Sequence, residues 1–205
     1  MILMIKCIIF DMGGVILTKS IEPILTEIAQ ELKIPVDFLM QFRKAHKEEL
    51  WDGKLSVSDI ALAVKKEFSL SLAVDEILAV WEKTYLKINA LDKGALDLVK
   101  KLKKNYKVAL ISNLWDFHVQ INRKRKLYDY FDPCVLSCKI GIHKPQKEIF
   151  ELAIKKAKVK GEECVFIDDR AEYFSVAQSL GMKTIEFKNV KKLVVDLKAL
   201  GVVIG

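Results

Sequence analysis

Four short runs of apolar residues set the limits on what this chain can fold into. They are KCIIFD, ending at Asp11; KVALISN, ending at Asn113; ECVFIDD, ending at Asp169; and KTIEF, ending at Phe187. Hydrophobicity within them is continuous rather than alternating, which marks strands covered on both faces, as in parallel sheets. Stretches with apolar residues at helical spacing separate them. GALDLVKKLKKN precedes the second run, QKEIFELAIKKAKV the third and YFSVAQSLG the fourth, where Gly181 suits a helix C-terminus. VKKLVVDLKALG reads as a closing helix. Strand and helix alternate, so the expected fold class is α/β, a doubly wound, Rossmann-like parallel sheet.

One connection breaks the alternation. Between Val15 and about Asn89 the chain runs far beyond a normal crossover, yet it is not loop-like. PILTEIAQELKI, DFLMQFRKAHKEELW, VSDIALAVKKEF and DEILAVWEKTYLKI each repeat apolar residues at helical spacing, punctuated by Pro35, Gly53 and SLS. The expectation is a four-helix insert, residues 16–89, standing as a cap over one edge of a core built from residues 1–15 and 90–205. With 205 residues, 51% of them hydrophobic, the chain is long enough for such a core and its insert.

No apolar run approaches the length that spans a bilayer. MILMI continues through Lys6 into a strand-like segment without a small-residue cleavage site, so it reads as the first strand rather than a signal peptide, and a cytoplasmic location is expected. Lys and Arg total 34 against 27 Asp and Glu, a net charge of +7. Such a balance suits nucleic acid or an anionic substrate. The lysines are scattered along helical faces (KKLKKNYK, IKKAKVK, NVKKL), and only NRKRKLYDYF is compact and flanked by aromatics, so nucleic acid is not the expected partner. Cys7, Cys134, Cys138 and Cys164 form no CxxC pair and read as reduced thiols.

Ligands of open parallel sheets bind outside the carboxyl ends of the strands. The runs deliver Asp11, Ser112 with Asn113, and Asp168 with Asp169 to that edge, and Lys144 lies in the loop KIGIHKPQKEIF before a helix. Taken singly, each has a structural reading: a helix N-cap, a strand terminator or a surface lysine. Together they mean something else. Carboxylates gathered at one place repel unless a cation sits among them, and hard oxygen ligands suit Mg²⁺. A lysine, a hydroxyl and free backbone N–H groups suit a phosphoryl group. The chemistry expected is phosphoryl transfer, by a carboxylate nucleophile or a metal-bound water. His118 and the insert's Arg43, His46 and Lys47 are weaker candidates for substrate contact, and His143 reads as incidental to Lys144.

In IIFDMGGV, LISN, GIHKPQKEIF and FIDDR, taken in this order and spacing, the chain resembles the haloacid dehalogenase superfamily of phosphohydrolases, which carries a small helical cap after its first motif. The D-x-G-x-V opening, GxxKP and the SN....H pattern ending at His118 look most like its sugar-phosphate phosphatases related to glucose-1-phosphate phosphatase. The resemblance implies that Asp11 attacks phosphorus and becomes an aspartyl-phosphate. It implies Mg²⁺ held by Asp11, the carbonyl of Gly13 and Asp169, with Asp168 acting directly or through water. Ser112, Asn113 and Lys144 would hold the phosphoryl oxygens, and Gly14 beside Gly13 would let the backbone approach the phosphate. The implied substrate is a small phosphorylated metabolite, a sugar phosphate among the candidates.

The chain departs from the pattern at Gly13, where most relatives carry a second Asp that protonates the leaving oxygen, a help of roughly two to four orders of magnitude. Arg170 and Tyr173 also differ from the usual fourth motif. The alternative expectation is a binding or regulatory protein of the same fold with little or no turnover.

Overall fold

A computed structural model describes residues 4–205. Part of MILMI therefore lies outside the described residues, and Met4–Lys6 carry no regular structure, so the first strand starts later than the sequence suggests. The chain runs through β1 (Cys7–Phe10), then α1 (Ile21–Leu32), α2 (Val36–Ala45), α3 (Lys47–Trp51), α4 (Val57–Glu67) and α5 (Val74–Ile88). It continues as α6 (Lys93–Leu102), β2 (Lys107–Ser112), α7 (Asp116–Lys124), β3 (Cys134–Leu136) and α8 (Ser137–Ile140). α9 (Lys147–Ala157), β4 (Cys164–Asp168), α10 (Phe174–Ser179), β5 (Lys183–Glu186) and α11 (Val190–Ala199) complete it.

The strands form one parallel sheet in the order β3-β2-β1-β4-β5. Both faces are covered, which explains the unbroken apolar runs. Cys7, Ile9, Ala109, Ile111 and Phe166 pack with Ile149, Phe150 and Ala153 of α9 on one side. Ile8, Phe10, Leu110 and Ile167 pack on the other with Val99 and Leu102 of α6 and Leu193 and Leu197 of α11. Each such side chain, fully buried, contributes about 1.5–3 kcal/mol. Register then positions the site. Phe10 lies beside Leu110 and Ile167, so Asp11 leaves β1 level with the end of β4, at Asp168, and close to the end of β2, at Ser112. β1 is also where the winding reverses, the place where such sheets bind ligands.

Two expectations need correction. β3 was not expected: three residues are too few for a periodic signal, and its strand partner β2 supplies the evidence that sequence lacks. The stretch between β1 and α6 holds five helices, not four, because DFLMQFRKAHKEELW breaks at His46. The His46 ring packs at a tilt against Phe42 (4.6 Å between centroids) and bonds Glu49 (2.7 Å), anchoring the break, while Glu48 and Glu49 favour a new helix start. Elsewhere local chemistry works as the sequence suggests. Ser56 and Asp59 form a capping box on α4, Asp92 accepts from Ala95 N–H at the start of α6, and Gly181 takes φ +85° beyond α10.

All four cysteines are free thiols, with Cys7 and Cys164 buried side by side on β1 and β4. The basic run NRKRKL is partly spent inside the protein. Asn122 is buried, Lys124 pairs with Glu82 at 2.7 Å, and Arg125 donates to the Asn89 carbonyl at 3.2 Å. No helix among the described residues is long and apolar enough to cross a membrane.

Candidate active site

At the carboxyl edge of the sheet the structure brings together Asp11, Asp168, Asp169 and Lys144. Lys144, 1% exposed, donates from Nζ to Asp11 Oδ1 at 2.6 Å and to Asp168 Oδ2 at 2.5 Å. The carboxylates of Asp11, Asp168 and Asp169 each offer an oxygen within 4.8 Å of the others. Three carboxylates against one ammonium leave two negative charges uncompensated. The electrostatics follow from that excess. Burial pushes the Asp11 carboxyl up, Lys144 pulls it back and Asp168 raises it again, leaving it at about 7. Burial and then Asp168 raise Asp169 to about 6. For Lys144, burial alone would favour the neutral amine, but Asp11 and Asp168 outweigh it and hold the ammonium above the usual lysine range. An all-oxygen donor set with a two-charge deficit, its oxygens all within 4.8 Å of one another against the ~4.2 Å that separates opposite ligands of Mg²⁺, suits that ion.

The surroundings of Lys144 assign work to neighbours. The Asn113 side chain clamps the lysine backbone, donating to the Lys144 carbonyl at 2.9 Å and accepting from the Lys144 N–H at 2.8 Å, with one amide hydrogen left for the phosphoryl oxygen it is expected to hold. Tyr173, the residue that departs from the usual fourth motif, lays its ring 4.8 Å from Lys144 Nζ. The N–H of Arg170, the other departure, donates to Asp168 Oδ1 at 2.9 Å.

The paired glycines have separate reasons. Gly14 takes φ +79°, and a Cβ there would lie 2.3 Å from Asp169 Oδ2, so only glycine leaves that carboxylate its place. The Gly14 N–H is already donated to the Leu17 carbonyl at 2.8 Å, and Gly14 is absent from the cavity wall. Its part is to make room for Asp169, whereas a direct grip on phosphate was expected. Gly13 lines the cavity, its φ is not positive, and a Cβ on it would meet nothing within 4 Å.

A cavity of about 290 Å³ opens onto these groups, and Asp11, Gly13, Ser112, Asn113, Lys144, Asp168 and Asp169 all line it. Ser112 is buried, with its hydroxyl bonded to no described residue. Of the insert's candidates only Arg43 reaches the wall, paired with Glu22 at 2.8 Å; Lys47 lies over Trp51 instead. His143, outside the cavity wall, pairs through Nδ1 with Asp52 of the insert at 2.7 Å. Trp81 and Tyr85 of α5 are both buried, and Tyr85 lines the cavity. Trp115, two residues after Asn113 and on the same wall, is not among the expected site residues. Proximity to the LISN motif was the available signal.

A family model of haloacid dehalogenase-like hydrolases matches residues 5–181. The chain is 29% identical over 201 residues to the D-ribitol-5-phosphate phosphatase of Bacteroides thetaiotaomicron, covering 91% of this chain and 93% of that protein. It is 27% identical to a sesquiterpene phosphatase of Aspergillus oryzae, covering 95% and 96%. Among solved structures, a magnesium complex of a haloacid dehalogenase family enzyme from Bacteroides thetaiotaomicron superposes with a TM-score of 0.76 at 26% identity, covering 90% of this chain and 94% of that one. This protein belongs to the haloacid dehalogenase-like hydrolases.

Proposed function

We propose that this protein is a magnesium-dependent phosphatase that hydrolyses a small phosphorylated metabolite through an aspartyl-phosphate on Asp11. The convergence of Asp11, Asp168, Asp169 and Lys144 at one cavity carries the reading. Two relatives named as phosphatases and a magnesium complex of a structural neighbour support it. Asp11, Asp169, Asp168 and the Gly13 carbonyl would hold Mg²⁺, which when bound offsets charge on the phosphoryl group.

The chain's own residues then divide the work. An Asp11 oxygen attacks phosphorus while the ester P–O bond breaks, and the departing oxygen ends as an alcohol. Water hydrolyses the acyl phosphate, releasing inorganic phosphate and restoring Asp11. Lys144 donates to phosphoryl oxygens from a position fixed by Asn113 and Tyr173, and Ser112 adds a hydroxyl. Residues 16–89 act as a cap over a core of residues 1–15 and 90–205. The chain leaves and re-enters that core side by side, with Thr18 N–H on the Ala90 carbonyl at 3.0 Å and Asp92 N–H on the Ile16 carbonyl at 2.9 Å, which supports this boundary.

Phosphate release from p-nitrophenyl phosphate tests the reading. EDTA should abolish it, MgCl₂ should restore it, and Asp11→Asn should lower it by at least about three orders of magnitude. Metal-independent release, or undiminished activity in Asp11→Asn, refutes it. A second reading, a binding protein without turnover, rests on the absent acid at Gly13. It requires that Mg²⁺ and phosphate bind while no metabolite in a broad panel is hydrolysed.

A further inference from the structure

Beyond the carboxylates, the cavity wall mixes apolar side chains such as Leu17, Ile21, Ile24 and Trp115 with polar ones such as Arg43 and Asn89. One of its polar groups is a buried ring. His118 on α7 is 3% exposed and lies flat between Trp115 (5.3 Å between centroids, 12° between planes) and Tyr85 (4.4 Å, 21°). Its Nε2 is 3.1 Å from the indole Nε1 of Trp81. An indole N–H can only donate, so Nε2 holds the lone pair and the neutral ring carries its proton on Nδ1. The ring stays neutral, because burial pushes its pKa down to about 3 and no carboxylate adjoins it.

No described residue accepts a hydrogen bond from Nδ1. Among the described residues, the Tyr128 hydroxyl is the one buried side-chain nitrogen or oxygen that is sealed from solvent without a partner. The Nδ1 of His118 is therefore not sealed, and the surface that this residue presents is cavity wall. A buried donor kept without an acceptor is costly, and in a cavity wall the missing acceptor belongs to the ligand.

We propose that His118 is a specificity-determining residue: its Nδ1–H donates to an oxygen on the alcohol portion of the substrate, so that the enzyme prefers phosphate monoesters whose leaving group carries hydroxyls over apolar esters of the same length. The proposal rests on the phosphatase reading of the site. A neutral imidazole N–H is a far weaker acid than a carboxyl, so His118 is assigned to selecting the substrate and not to replacing the acid missing at Gly13. Sites that bond a substrate hydroxyl discriminate strongly against analogues lacking it, since the donor is then left unpaired. One neutral donor should give about 10- to 100-fold in kcat/KM.

The test compares ribitol 5-phosphate with n-pentyl phosphate, two five-carbon alkyl esters that differ in hydroxyls, and reads the ratio of their kcat/KM values. Two variants separate ligand contact from support of Trp81. In His118→Asn the amide nitrogen can donate from the place of Nδ1 but leaves Trp81 without its acceptor. In His118→Gln the amide oxygen can accept from Trp81, but the Nδ1 donor is gone. The natural protein should favour the ribitol ester by at least about tenfold. His118→Asn should keep most of that ratio and His118→Gln should lose it. Differences in intrinsic reactivity between the esters cancel when ratios are compared across proteins. No preference in the natural protein, or any result in which the Asn variant does not exceed the Gln variant in this ratio, overturns the proposal. If neither ester is turned over with Mg²⁺ present, p-nitrophenyl phosphate decides: no release from it means that the phosphatase reading has failed. The same comparison is then read by the same rule from calorimetric titration of the two esters.

Discussion

Introducing an aspartate at position 13 would supply the acid that the first motif lacks, and the structure gives reason to expect the chain to accept it. The backbone there is outside the left-handed region, and a Cβ finds no atom within 4 Å. Replacing glycine at a compatible position stabilises by about 0.4–1 kcal/mol through the unfolded chain. Against that stands a fourth carboxylate beside Asp11, Asp168 and Asp169. At an effective dielectric of about 20, one like charge roughly 6 Å away costs about 2.8 kcal/mol. That is about two units of pKa, enough to lift the new carboxyl from about 3.9 to about 6 before any cation is counted. The cost thus falls on the ionised form and raises the protonated share at neutral pH about a hundredfold, the state a general acid needs.

A gain of about two to four orders of magnitude is then expected for alkyl phosphates, whose alkoxides need a proton, and little for p-nitrophenyl phosphate, whose phenolate does not. The assay is kcat/KM over aryl and alkyl monoesters spanning a wide range of leaving-group pKa, on the natural protein and on Gly13→Asp. The natural protein should show a steep dependence and the variant a shallow one. A shallow dependence in the natural protein refutes the reasoning, because some other group would already donate the proton. A uniform fall across the series in Gly13→Asp refutes its premise of free space.

Gly14→Ala forces a Cβ against Asp169 at a left-handed position, so Mg²⁺ affinity by calorimetry should fall at least about tenfold; unchanged affinity removes the account of this glycine. Asp11 and Asp169, raised to about 7 and about 6, bind protons better in the folded protein than in the unfolded chain. Their contribution to stability is present below the unfolded carboxylate range and is lost as pH rises through about 6 to 7. Mg²⁺ takes the ionised forms, so the rise in Tm on adding it should grow from about pH 5 to about pH 8; a rise that is constant or shrinks with pH contradicts the cluster electrostatics. Tyr173→Leu removes the ring beside Lys144 and should cost about 0.5–2 kcal/mol, or roughly 2- to 30-fold in kcat/KM, while Tyr173→Phe keeps the face and most of the rate; equal losses in both would assign the effect to the hydroxyl.

What could be read from the sequence divides by the range of the interaction. The strands β1, β2 and β4 were legible because burial on both faces of a parallel sheet leaves an unbroken apolar run, whereas the edge strand β5, with Ile185 alone buried, was legible from its place after a helix. The polar residues closing three of those runs were legible as one site because parallel register brings strand ends together whatever lies between them. β3 escaped because three residues have no period, and the break at His46 because its cause, a ring packed against Phe42 and bonded to Glu49, leaves the apolar spacing unchanged.

Within the site, residue types reported which chemistry gathers there but not which atom each side chain bonds. Asn113 has the same place in LISN whether its amide faces a phosphate or the Lys144 backbone; only the loop from residue 141 to 146, folded against the end of β2, decides. Tyr173 departs from the usual motif, and one sequence cannot say that its ring lies against a lysine 29 positions earlier. The two glycines make the point most sharply. Adjacent and identical, they read as one flexible element, yet a Cβ on Gly14 collides with Asp169 while a Cβ on Gly13 meets open space. Geometry therefore requires glycine at position 14 alone. At position 13 no steric demand excludes a side chain, so packing does not account for the missing acid; a leaving group that departs with little protonation would make a carboxyl there dispensable, and the dependence of rate on leaving-group pKa measures that directly.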